Sequence, residues 1–190
     1  MTSRNSSPKH TITALVHDKP GVLNRISSMF RRRGFNIASL AVGYSEIPDF
    51  SRMTFVVEGD SSVVERVTKH LNKLVDVIKV SDISNQNIIS RELALVRVKS
   101  NVQSRSEILQ IVDIFRANIV DVAVDSLIVE VTGNEDKINS LNDLLRSFGV
   151  LEIMRTGTVA MSRGVSTDHQ HQSETAKESG DALWGEASSV

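Results

Sequence analysis

The residues best placed to do chemistry stand together near the start of the chain. They run Val16-His17-Asp18-Lys19-Pro20-Gly21-Val22-Leu23 and continue through Arg25-Ile26 to Phe30. Asp18 brings a carboxylate that can accept hydrogen bonds from the free N–H groups of a turn. Pro20 fixes φ and has no N–H to satisfy, which suits the entry to a helix. Gly21 has no Cβ, so something can approach the backbone closely there. Val22, Ile26, Met29 and Phe30 recur at helical spacing, so a helix begins at this turn. Its free N–H groups and dipole favour an anion, and the carboxylate beside them favours a cation. The stretch can therefore hold a small zwitterion by both ends. The same residues also make a plain βα connection, and on local chemistry alone that reading stands beside the first.

Nothing else in the chain assembles a nucleophile, a base and an orienting group. There is no G-x-G-x-x-G or G-x-x-x-x-G-K-[ST] phosphate loop, no G-x-S-x-G and no H-E-x-x-H. His169-Gln170-His171 is a poor metal-ligand set, and His17 and His70 read as a strand end and a helix surface. Glu135 and Asp136 fit the first turn of a helix. Arg31-Arg32-Arg33 suit a helix end, and also phosphate or an acidic partner. No catalytic residue and no metal site is assigned, so the chain reads as non-catalytic. The 190 residues contain no cysteine, which excludes disulfides, thiolate metal sites and cysteine nucleophiles. A formal charge of -1 argues against a nucleic-acid or membrane partner, and 4% aromatics gives few stacking platforms for single strands. No apolar run reaches the length of a membrane span. Residues 1–9 are a polar leader with no apolar signal region, so a cytoplasmic location is expected.

The elements that must position the turn follow from periodicity. His10–His17 alternates as a strand, with Ile12, Ala14 and Val16 on one face. A helix runs from about Pro20 to Arg33 and stops at Gly34. Strands are expected at Asn36–Glu46 and Ser51–Gly59. Ser62-Val63-Val64-Glu65 has capping-box spacing and opens a helix bearing Val63, Val67, Leu71 and Leu74. Val75–Ser81 is a fourth strand. The order β-α-β-β-α-β is the ferredoxin-like arrangement. After a polar connector at 84–90 the pattern repeats. A strand at Arg91–Ser100 leads to a helix opened by Ser104-Arg105-Ser106-Glu107, with Ile108, Ile111, Val112 and Phe115. A hairpin spans Asn118–Val124 and Leu127–Thr132, a helix starts at Gly133-Asn134-Glu135, and Val150–Thr158 closes as the last strand. The fold class is α+β: two tandem βαββαβ units at 10–83 and 91–165, each an antiparallel sheet with helices on one face. Asn101-Val102-Gln103 replaces the glycine turn in the second unit, so a site built on that turn belongs to the first. Residues 166–190 are polar and read as disordered, with Trp184 as a lone aromatic.

Six stretches in order carry a resemblance. They are Asp18–Arg25, Arg33–Leu40, Ser51–Thr54, Leu71–Val77, Arg91–Val96 and Met161–Gly164. Together they resemble the regulatory small subunit of acetohydroxyacid synthase (acetolactate synthase); the glycine turn by itself resembles only an ACT domain. The resemblance implies an ACT domain for the first unit and the family's ferredoxin-like C-terminal domain for the second. It implies a homodimer paired through the ACT domains, with valine or another branched-chain amino acid bound at that interface. It also implies a catalytic large subunit as partner, activated by this chain and feedback-inhibited through it. Thiamine diphosphate, Mg²⁺ and FAD belong to that large subunit, and this chain has no cofactor of its own. Carried onto matching positions, the effector contacts are Asp18, Pro20, Gly21, Val22 and Leu23 of one chain and Asn36 and Ile37 of the other. Many relatives carry Asn where this chain has Asp18. The alternative is a free-standing ACT-type sensor or regulator.

Overall fold

The structure is a computed structural model and describes residues 8–164. The leader up to residue 7, the 166–190 tail, His169, His171 and Trp184 lie outside the described residues. The first unit contains β1 (Lys9–His17), α1 (Val22–Arg33), β2 (Ile37–Tyr44), β3 (Phe50–Glu58), α2 (Ser61–Leu71) and β4 (Val77–Asp82). Its antiparallel sheet has the order β2-β3-β1-β4. Pairing of Ile12 with Phe55 and Ala14 with Met53 sets the apolar sides of β1 and β3 on one face. Val22, Ile26, Met29 and Phe30 of α1 and Val64, Val67 and Leu71 of α2 close over that face. Phe30 stacks on Phe55 with ring centroids 5.4 Å apart at the centre of this core.

The second unit repeats the plan with β5 (Ile88–Lys99), α3 (Arg105–Ile114), β6 (Asn118–Val122), β7 (Ser126–Gly133), α4 (Glu135–Leu145), β8 (Val150–Arg155) and β9 (Val159–Ser162). The strand order β6-β7-β5-β8 matches that of the first sheet. Ala94, Val96 and Val98 pack with Val129, Val131, Ile108, Val112, Ile138, Leu141 and Leu145 in a second core. The chain is thus α+β, built from two ferredoxin-like βαββαβ units.

Several local expectations change. Helix α1 starts at Val22, not Pro20, because Gly21 at φ 89° takes the N-cap position. At α2 the capping residue is Asp60, whose Oδ1 accepts from the Val63 N–H at 3.0 Å, and Ser62 donates to the same carboxylate. At α3 the Ser104 side chain makes no cap bond; Asn101 Oδ1 instead accepts from the N–H groups of Gln103 and Ser104. The last strand divides: β8 ends at Arg155, and after Thr156-Gly157-Thr158 the short β9 pairs with Ile88–Arg91 of β5. The connector expected at 84–90 is correspondingly shorter, because Ile88, Ile89 and Ser90 already lie in β5.

Candidate functional site

Strand β1 delivers the chain to the turn. At its end the His17 N–H donates to the Asp76 carbonyl and the His17 ring stacks on Phe50 at 4.8 Å. The Asp18 N–H donates to the Asp49 carbonyl at 2.8 Å, which pins the start of the turn. Within it, Lys19 N–H donates to His17 C=O and Val22 N–H to Lys19 C=O; Arg25 N–H to Gly21 C=O is the first bond of α1. Among the described residues the N–H groups of Gly21, Leu23 and Asn24 have no acceptor. No side chain caps the helix and no acidic residue stands in its first turn. The Asp18 carboxylate was expected to accept from this turn, but it bonds to none of these donors. Gly21, three residues later, is the N-cap, so Asp18 lies too early for the capping geometry.

The helix therefore presents free donors at its positive end with an unengaged carboxylate beside them. The approach is open: Asp18 to Gly21 are exposed, and a Cβ built on Gly21 meets nothing within 4 Å. The positive φ is what requires glycine here. Val22 is only 6% exposed and its side chain belongs to the core, so it offers the site its backbone alone. Leu23, 49% exposed, offers an apolar side chain. Arg25 pairs with Asp76.

Asn36 and Ile37 lie elsewhere. Ile37 is opposite Val57, which in turn faces His10. The turn follows His17, at the other end of β1. Seven residues of extended strand separate the two levels, roughly 24 Å at the antiparallel rise per residue. One copy of the chain thus brings Asp18, Pro20, Gly21, Val22 and Leu23 together and leaves Asn36 and Ile37 at the far end of its own sheet. Asn36 Nδ2 donates to Glu58 at 2.8 Å, and Ile37 packs partly against the core. Strand β2, which they introduce, is an edge of the sheet.

A second feature was not legible in the sequence. Next to β2 the two units meet across a cleft of about 400 Å³. The Thr158 N–H donates to Ser39 Oγ at 2.7 Å, and Lys9 pairs with Glu135 at 2.6 Å. Glu92, 7% exposed, is held by Arg155 and by the Thr158 hydroxyl, each at 2.5 Å. Arg155 also reaches Asn139 at 2.9 Å. Gly157 passes so close to β2 that a Cβ there would stand 2.1 Å from the Leu40 carbonyl oxygen. A lone glycine in Arg155-Thr156-Gly157-Thr158 is the one local signal, and it does not say what it approaches. Among the described residues no three His, Asp or Glu side chains are grouped to hold a metal ion, and no helix is long and apolar enough to cross a membrane.

The comparisons agree in both units. Residues 12–79 match the family described as AHAS small subunit-like ACT domain, and residues 91–164 match that described as small subunit of acetolactate synthase. A probable acetolactate synthase small subunit of Archaeoglobus fulgidus is 57% identical over 156 residues, covering 82% of this chain and 98% of the relative. The acetolactate synthase small subunit of Mycolicibacterium smegmatis is 49% identical over 84% of this chain and 94% of its own. The crystal structure of the acetolactate synthase small subunit from Thermotoga maritima superposes with a TM-score of 0.78 at 42% identity. It covers 84% of this chain and 99% of that one. The paired βαββαβ units, the uncapped glycine turn and these matches together place the chain in the acetolactate synthase small subunit family, with an ACT domain as its first unit.

Proposed function

We propose that this chain is a regulatory, non-catalytic subunit that senses a branched-chain amino acid, valine first among them, and transmits its occupancy to the catalytic large subunit of acetolactate synthase. The observation that carries the reading is the α1 N-terminus. Three backbone donors are unpaired there, and the exposed carboxylate of Asp18 is unengaged. The donors take the amino acid's carboxylate. Asp18 takes its ammonium by a charge-assisted bond, and Leu23 covers part of the apolar side chain. Asn36 and Ile37 complete the site from a second copy. Within one copy they lie too far away, so sensing requires a homodimer joined through the ACT sheets.

Thiamine diphosphate, Mg²⁺ and FAD are assigned to the large subunit and not to this chain. The small subunit raises the partner's activity, and valine bound at the ACT interface lowers it, by a coupling free energy between two distinct sites. The inter-unit contacts of Ser39 with Thr158 and Leu40 with Gly157 lie on β2, close to Asn36 and Ile37, and give a path toward the second unit. The test is an acetolactate-forming assay of the large subunit with and without this chain, over a valine titration. Activation by the chain and inhibition by valine only in its presence support the reading. Unchanged activity on adding the chain, or inhibition of the large subunit alone, refutes it.

A further inference from the structure

The other end of the ACT unit's helix layer carries a feature that the amino-acid site does not use. The last turn of α1 and the end of α2 enclose a groove of about 340 Å³ lined by Met29, Arg32, Arg33, His70, Lys73 and Leu74. Its base includes the buried Met29, and its walls are cationic. Arg66 stands close by, with its guanidinium over the Phe35 ring at 5.6 Å. Among the described residues Arg32, Arg33 and Lys73 have no carboxylate partner; Lys69, on the same helix, is already paired with Glu65. The charges are close enough to act on one another: partial burial, then Arg33, Lys73 and Arg66, push the His70 pKa below its ordinary value. The helix ends do not account for this excess. Each helix dipole presents about half a negative charge at its C-terminus, and the Gly34 and Asn72 N–H groups already bond to the last carbonyls.

We infer that this groove is a binding site for a compact multivalent oxyanion of the oligophosphate or organic-phosphate class. Guanidinium forks match phosphate oxygens in pairs, and Lys73 adds a point charge. The cavity is within the size range of small-molecule sites, and a concave shape with an apolar floor suits a small ligand better than a flat protein surface. The site is separate from the Gly21 turn, at the opposite end of α1, and does not depend on the amino-acid reading.

The test is a calorimetric titration of the full chain with inorganic pyrophosphate at low ionic strength, followed by ³¹P and histidine NMR. Saturable binding near one per chain is expected, weakening with added salt and raising the His70 pKa. Arg33→Gln with Lys73→Gln should weaken it at least about tenfold, whereas Arg91→Gln, on β5 away from the groove, should not. These groove side chains are exposed, and circular dichroism of each variant checks its fold. No binding, or equal binding by the groove variant and the Arg91 variant, overturns the inference. Silence with pyrophosphate together with weakened large-subunit association in the groove variant also overturns it, in favour of an acidic protein surface.

Discussion

Replacing Gly157 by alanine tests the junction between the two units. The added Cβ would lie 2.1 Å from the Leu40 carbonyl oxygen and 2.9 Å from the Ala41 nitrogen, both backbone atoms. Real Cβ contacts do not fall below 3.0 Å, so the 156–158 segment and β2 must separate by at least 0.9 Å. Spent on the Thr158–Ser39 bond of 2.7 Å, that movement takes it beyond hydrogen-bond reach. A lost bond of this kind costs about 1 kcal/mol, and a stranded N–H costs about 1–3 kcal/mol. In the opposite direction, Gly→Ala at an ordinary φ stabilises by about 0.4–1 kcal/mol through the unfolded chain. Gly157 has no positive φ, so this second effect applies in full. The expected balance is a loss of about 1–3 kcal/mol, measured by urea unfolding of the full chain. Faster amide exchange should be confined to β2 and to the segment around Thr158. A variant as stable as the parent, or more stable, refutes the packing described at this junction.

Gly21→Asp should weaken valine binding at least about tenfold, or ~1.4 kcal/mol, since it sets a carboxylate against the ligand's own. It should leave activation of the large subunit in place; an activity assay with and without valine reads both effects, and inhibition retained in full would reject this site. Phe55→Ala removes a ring that is fully buried against Phe30 and should cost about 3–5 kcal/mol in chemical unfolding. A cost below about 1 kcal/mol would show that the core does not centre there. The lowered His70 pKa makes the folded state the weaker proton binder. Stability should be level above the ordinary histidine value of 6.5 and fall as pH drops through it. The charges acting on His70 are Arg33 from α1, with Arg66 from α2 and Lys73 just beyond it. His70→Asn should remove that part of the slope, and an unchanged pH profile of the melting temperature would refute the assignment.

Much of the fold was legible because apolar period and burial agree. The alternation Ile12-Ala14-Val16 is the buried face of β1, and Val22-Ile26-Met29-Phe30 is the buried stripe of α1. Gly34 ends α1 in the left-handed conformation, as its position suggested. Capping was less legible. Asp60 and Ser62 both precede an apolar run, and only the geometry shows that the Asp60 carboxylate reaches the Val63 N–H. The break between β8 and β9 carries one local signal, Gly157, and a lone glycine does not show that the segment lies against Ser39 and Leu40 of β2. The site was half legible. The residue types at Asp18 to Leu23 announce a turn, but that its donors stay unsatisfied is a property of the bonds actually formed. The separation of Asn36 and Ile37 from that turn follows from strand register, which a chain read in order does not display.

The free amides at Gly21, Leu23 and Asn24 are the proposed receptor for an amino-acid carboxylate. Calorimetric titration of the full chain with valine, run in parallel on Gly21→Asp, tests this most directly. Saturable binding by the parent at one valine per chain in a dimer, and its loss in the variant, is the expected result. No heat from the parent in any assembly state, or the same isotherm from both proteins, would contradict it.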